Sequence, residues 1–118
     1  MPPKLRSAAF GIPRKAGFFM ELNITSKDGK IIAEVQGRID TTNSEGFQQA
    51  MLSETAKTDD LVLDCAKLIY ISSAGLRALL STHKVMAGKS GKFTLTNVNE
   101  DVMEIFDITG FSDILTII

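Results

Sequence analysis

A chain of 118 residues, 44% hydrophobic and 23% charged, has the size and make-up of one globular domain with room for its own core. One cysteine, Cys65, excludes an internal disulfide and a thiolate metal cluster, and one histidine, His83, leaves a zinc site or a His-based catalytic pair poorly supplied, so no cofactor or metal is expected. No apolar run nears the ~20 residues of a membrane span, so no direct membrane insertion is expected.

The charge is unevenly placed. Lys4, Arg6, Arg14 and Lys15 give residues 1–19 four positive charges and no acid, whereas the nine other basic residues face all fourteen acids, a net −5. A mildly acidic body argues against nucleic acid as the main partner.

The leader MPPKLRSAAFGIPRKAGFF holds all three prolines and lacks the continuous apolar stretch of a signal peptide. Residues 1–19 are therefore read as a flexible basic extension, or as the result of an upstream start codon with Met20 as the natural beginning. A transit peptide or basic anchor is the lesser alternative. The fold is argued for residues 20–118.

MELNIT places Leu22 and Ile24 on one side with period two, a strand. The Asp-Gly step in SKDGK predicts a tight hairpin, and KIIAEVQGRID returns through Ile31, Ala33 and Val35. TTNSEGFQQAMLSET opens a helix, with Thr42 and Glu45 spaced as a capping box and Phe47 and Met51 as an apolar pair. The run Leu61-Val62-Leu63 in TDDLVLDC predicts a central strand covered on both faces. AGLRALLSTHKVMAG repeats Leu76, Leu79, Leu80 and Met86 at helical spacing and stops at Gly88. KFTLTNV is a strand through Phe93 and Leu95. NEDVMEIFDITGF is a helix capped by Asn99 and ended by Gly110, and DILTII is a closing strand. The order β-β-α-β-α-β-α-β predicts a single-domain α/β fold, a mixed β-sheet flanked by helices.

Several apparent signals carry no chemistry. Gly88-Lys89-Ser90 matches the end of a Walker phosphate loop, but His83 stands where the earlier glycine belongs, and the segment runs from helix to strand rather than the reverse. His83 lies at the edge of an apolar stripe without companion ligands. Asp59 and Asp60 precede an apolar strand and read as turn residues. Neither Ser72 nor Ser73 has a glycine-flanked elbow or a His-acid pair, so an enzyme is not expected.

The stretch YISSAGL, residues 70–76, sits where a strand gives way to a helix. One serine suffices to cap the helix by accepting a backbone N–H, worth ~1 kcal/mol, and on composition alone capping is the favoured account. The second hydroxyl and Gly75 need another reason, because Gly costs ~1 kcal/mol against Ala within a helix. Glycine is tolerated where another molecule approaches the backbone closely.

The stretch from Leu61 to Val98, followed by VMEIFDITGFSDIL, resembles the anti-sigma factor antagonists, members of the family of domains shared with sulfate transporter tails (STAS domains). GRID at 37–40 and the F-D-x-[ST]-G pattern at Phe106 to Gly110 belong to the same resemblance, which runs from about Met20 to Ile118. In that family the turn reads Asp-Ser-[Ser/Thr]-Gly-Leu, and the first serine is phosphorylated. Aligning Gly75-Leu76 implies Ser73 as the phosphoacceptor, with Ala74 at the Ser/Thr position and Ser72 in place of the Asp. That replacement leaves Ser72 as a rival acceptor. Asp40 matches an acidic residue that the family places beside the same surface; its alternative role is a turn or cap.

The resemblance implies a bacterial, cytoplasmic domain that binds an anti-sigma factor, often a serine kinase, and releases it when Ser73 is phosphorylated. A serine phosphatase would restore binding. The implied partner surface comprises Asp40, Thr41, Thr42, Ser72, Ser73, Gly75 and Arg77. The competing reading is a non-switching STAS adaptor or scaffold, for instance in a transporter complex, with both serines as caps. The switching reading requires that the Ser73 hydroxyl stand open to solvent where the helix begins.

Overall fold

The computed structural model describes residues 6–12 and 20–118. Its strands are β1 (Arg6–Ile12), β2 (Met20–Lys27), β3 (Lys30–Ile39), β4 (Asp60–Ile71), β5 (Lys92–Thr96) and β6 (Thr116–Ile117). The helices are α1 (Ser44–Thr55), α2 (Ser73–Gly88) and α3 (Glu100–Thr109), with a short 3-10 turn at Phe111–Asp113. From Met20 onward this is the order expected from sequence. Most of the leader lies outside the described residues; within it, Arg6–Ile12 runs as a strand antiparallel to β2.

The strands lie in the spatial order β1-β2-β3-β4-β5-β6, antiparallel from β1 to β3 and parallel from β3 to β6. Asp28 and Gly29, both at positive φ, make the hairpin that pairs Lys27 with Lys30. Each parallel crossover then steps one strand along. Right-handed crossovers taken repeatedly in one direction place their helices on one side of the sheet. The register agrees. Ile24, Ala33, Leu63 and Leu95 share a face and are buried, as do Ile31, Leu61 and Phe93.

Helix α1 adds Phe47 and Met51 to that core, α2 adds Leu76, Leu79 and Met86, and α3 adds Val102 and Phe106. Val62 and Ile32, on the other face, are only half-buried. The expectation that β4 is covered on both faces is therefore corrected: an apolar run fits a strand with one open face when the open side is kept half-shielded by its neighbours.

Strand β4 is longer than its periodicity suggests, because it carries two irregularities. Asp64 pairs with Glu34 but Lys67 with Gln36, and Leu68 pairs with Gly37 but Tyr70 with Arg38. Each inserts one residue into β4. The buried set accordingly changes spacing from Leu61, Leu63 and Cys65 to Leu68 and Ile71, and Ile69 and Tyr70 turn outward.

Other local expectations hold. Asn99 Oδ1 accepts the Val102 N–H at 2.9 Å and Gly110 ends α3 in the left-handed region. Lys89, from the rejected phosphate-loop triplet, donates to the Thr55 and Thr58 carbonyls at 2.7 and 3.2 Å and pins the end of α2 to the α1–β4 connection. The closing strand is shorter than DILTII suggests, since residues 111–113 form the 3-10 turn and only Thr116–Ile117 pair with β5.

Candidate functional site

The site is built where β4 passes into α2. Ser72 holds the extended conformation of an N-cap (φ −86°, ψ 172°), and its Oγ accepts the Gly75 N–H at 3.2 Å. Its own N–H donates to the Ile39 carbonyl at 2.8 Å, and its carbonyl accepts the Leu76 N–H at 2.9 Å. Ser72 is consequently only 7% exposed. Ser73, the first helical residue, is exposed. The two neighbouring hydroxyls therefore have different fates: one is sealed into the cap, the other faces solvent. The replacement of the family's Asp by Ser72 preserves capping, since both side chains accept N–H bonds well at that position.

The first turn of α2 carries no acid, whereas α1 begins with Glu45 and α3 with Glu100 and Asp101. The free N–H groups and positive dipole end beside Ser73 are thus not offset by a carboxylate on the same turn.

Gly75 corrects an expectation. It is buried, and a Cβ there would lie 2.6 Å from Ile71 Cγ1 and 2.8 Å from Ile39 Cγ2. The missing side chain lets α2 settle against the ends of β3 and β4; it does not admit a partner. Arg77, one position past Leu76, is exposed as expected.

The loop from β3 to α1 borders this turn through the Ser72–Ile39 hydrogen bond. Asp40 Oδ1 accepts the N–H groups of Thr42 and Asn43 at 2.9 and 3.1 Å, and also the Thr42 hydroxyl. Thr41 and Thr42 are exposed. The Thr42–Glu45 capping box is not formed. The N-cap of α1 is Asn43, whose side chain turns back instead: Oδ1 accepts the Asp40 N–H at 2.9 Å and Nδ2 donates to the Arg38 carbonyl at 2.8 Å. Sequence reasoning missed Asn43, which is 1% exposed. The Asp-x-x-Asn spacing was the available signal, since both side chains favour such local backbone bonds. It also missed Arg38 stacking on Tyr70, 4.5 Å from guanidinium carbon to ring centroid.

Elsewhere the chain offers little for chemistry. Among the described residues no cluster of His, Cys, Asp or Glu could hold a metal ion, and no helix is long and apolar enough to cross a membrane. Burial, with a smaller contribution from the Asp64 carboxylate, pushes the Cys65 thiol up from 9.0 to about 12, which makes it a poor nucleophile.

Comparison with known proteins agrees with this architecture. The chain is 34% identical over 99 residues to BtrV of Bordetella bronchiseptica, which bears the name of an anti-sigma factor antagonist; the match covers 83% of this chain and 85% of BtrV. A solved anti-sigma factor antagonist from Mycobacterium paratuberculosis superposes with a TM-score of 0.75 at 21% identity, covering 83% of this chain and 84% of that one. SpoIIAA of Bacillus, solved in its phosphorylated form, shares the fold with a TM-score of 0.65 at 12% identity, over 82% and 90% of the two chains. Residues 21–118 match the STAS domain family, and the chain belongs to it.

Proposed function

We propose that this domain is an anti-sigma factor antagonist switched by phosphorylation of Ser73. The observation that carries the reading is the contrast at the turn: Ser73 is exposed at the start of α2 while Ser72 is buried in the cap. A kinase reaches only a hydroxyl that can leave the protein surface. The name of BtrV supports the function, and the phosphorylated form of SpoIIAA supports the type of modification.

The switch follows from charge. Phosphate on Ser73 adds about −1.5 to −2 charges. Within the domain, the acid-free first turn of α2 accommodates it, with a gain of roughly 0.3–2 kcal/mol from the N–H groups and dipole. Under a docked partner the same charge is desolvated at a cost of several kcal/mol. A net penalty of ~4 kcal/mol weakens binding about a thousandfold. The interface term is the larger, so the partner leaves while the fold persists.

In this scheme the unmodified domain binds an anti-sigma factor that is itself a serine kinase, in the cytoplasm, through Ser73, Arg77 and the Asp40–Thr42 loop. The kinase phosphorylates Ser73 with its own ATP, and a serine phosphatase reverses the step. The domain supplies recognition rather than catalysis. Incubation with the cognate kinase and ATP, followed by mass spectrometry, should place phosphate on Ser73. Ser73→Ala should bind the kinase regardless of ATP, and Ser73→Asp should bind at least about a hundredfold more weakly while melting near the parent temperature. Phosphate on Ser72 alone would overturn the site. Binding by Ser73→Asp equal to that of the parent would favour the adaptor reading instead.

A further inference from the structure

The face of the sheet opposite the helices is organised in cross-strand rows. Register places Lys27, Lys30, Asp60 and Lys92 side by side at one end. The next row is Thr25, Ile32, Val62 and Thr94, and the one after it Asn23, Glu34, Asp64 and Thr96. The face thus reads as a basic row with three lysines and one acid, a central row holding Ile32 and Val62, and a row whose only charges are acidic. Lys67 reaches back to Glu34 at 3.4 Å, while Asp64 has Asn97 Nδ2 and the Ala66 N–H as partners. A groove of about 540 Å³ runs over Ile32 and Val62, with Ile118, 80% exposed, at its margin. Among the described residues no helix residue lines it. Parallel sheets are ordinarily buried on both faces, so an open face over three parallel strands is an unfinished layer.

We propose that this face is an interface between two copies of the chain, packed sheet to sheet with their strands antiparallel. A two-fold axis lying in the interface along the Ile32–Val62 row turns the basic row of one copy over the acidic row of the other, twice. Lys30 of one copy then lies opposite Glu34 of the other, and Val62 opposite Val62. Asp60, the one acid in the basic row, comes to lie opposite Asp64 of the other copy, a like-charge contact that Lys30 and Lys92 on either side of Asp60 offset. An axis parallel to the strands would set the basic row over itself and the acidic row over itself, with Lys27 against Lys92 and Glu34 against Asp64, so the net charges of the rows favour the first arrangement. Four strands about 4.8 Å apart and roughly 20 Å long bury on the order of 1,000 Å² over both copies, which makes a reversible dimer rather than an obligate one. Ser73 opens a helix on the opposite face, so such a dimer presents two phosphorylation sites outward and does not depend on whether Ser73 is the acceptor.

Sedimentation equilibrium of the full chain, from about 10 μM to about 1 mM at low salt, should show a monomer–dimer equilibrium that weakens as salt is raised. Lys30→Glu and Glu34→Lys should each weaken dimerisation about tenfold or more, with circular dichroism and melting unchanged. An equimolar mixture of the two should recover the dimer, because in the mixed pair the reversed lysine and the reversed glutamate each meet an opposite charge. A parent that stays monomeric at about 1 mM, a dimer indifferent to both variants, or a mixture that fails to recover would overturn the proposal.

Discussion

Ser72 and Ser73 are adjacent in sequence and chemically identical, yet the structure separates them completely. A cap must accept the N–H three residues on, which rotates its hydroxyl inward; the next residue is the first on the helix surface and points away. Gly75 belongs to the same geometry. Adding a methyl brings a helix-propensity gain of ~1 kcal/mol but forces it against Ile71 and Ile39, at 2.6 and 2.8 Å, whose β-branched chains cannot rotate aside freely. Overpacking of this kind costs ~1–3 kcal/mol and outweighs the gain. Gly75→Ala should therefore lower the urea midpoint at unchanged slope, a net loss of up to ~2 kcal/mol in stability; an unchanged or raised midpoint would show that α2 can shift outward.

At the scale of elements, the β3–α1 connection is held by side chains reaching backward rather than by a cap reaching forward. Asn43 joins Asp40 and the Arg38 carbonyl, and the Ile39 carbonyl joins Ser72, so loop and helix start form one unit. Removing the Asn43 amide takes away its bonds to the part-buried Asp40 N–H and Arg38 carbonyl. Asn43→Ala should destabilise the domain by ~2–3 kcal/mol, whereas Thr42→Ala and Glu45→Ala, at exposed positions, should each cost under ~1 kcal/mol. The reverse ranking in denaturant titrations would restore the capping box. The inserted residues of β4 act at the same scale: they keep Leu68 and Ile71 inward and send Tyr70 out to meet Arg38.

For the whole molecule, one central strand carries a pH-dependent term. Cys65 lies on β4 in the middle of the core, and burial, aided by the charge of Asp64, keeps its thiol protonated up to about 12 instead of 9.0. The folded state therefore holds a proton that the unfolded chain releases above pH 9.0. By linkage, this contribution is complete below that pH and is lost as pH rises toward 12. Near pH 10.5 the loss should be roughly 2 kcal/mol. The stability difference between the parent and Cys65→Ala, measured by denaturant unfolding at about pH 8 and about pH 10.5, should fall accordingly. A difference independent of pH would mean that the thiol ionises within the fold.

Local patterns were legible in the residues themselves. Alternation gave β2, β3 and β5, helical spacing gave α2, and Asp28-Gly29, Asn99 and Gly110 marked a turn, a cap and a stop, because each depends on a few neighbouring backbone groups. The YISSAGL turn was legible for the same reason, and its resemblance to a family pattern suggested the role proposed for Ser73. Contacts between distant segments decided the rest: that Ser72 rather than Ser73 is sealed by the Ile39 carbonyl, that Gly75 serves packing, that Asn43 anchors the loop, and that Val62 faces an open side. Periodicity tells which residues share a face, but which face is covered depends on where the crossover helices come to rest, and that is settled only when the strands are assembled.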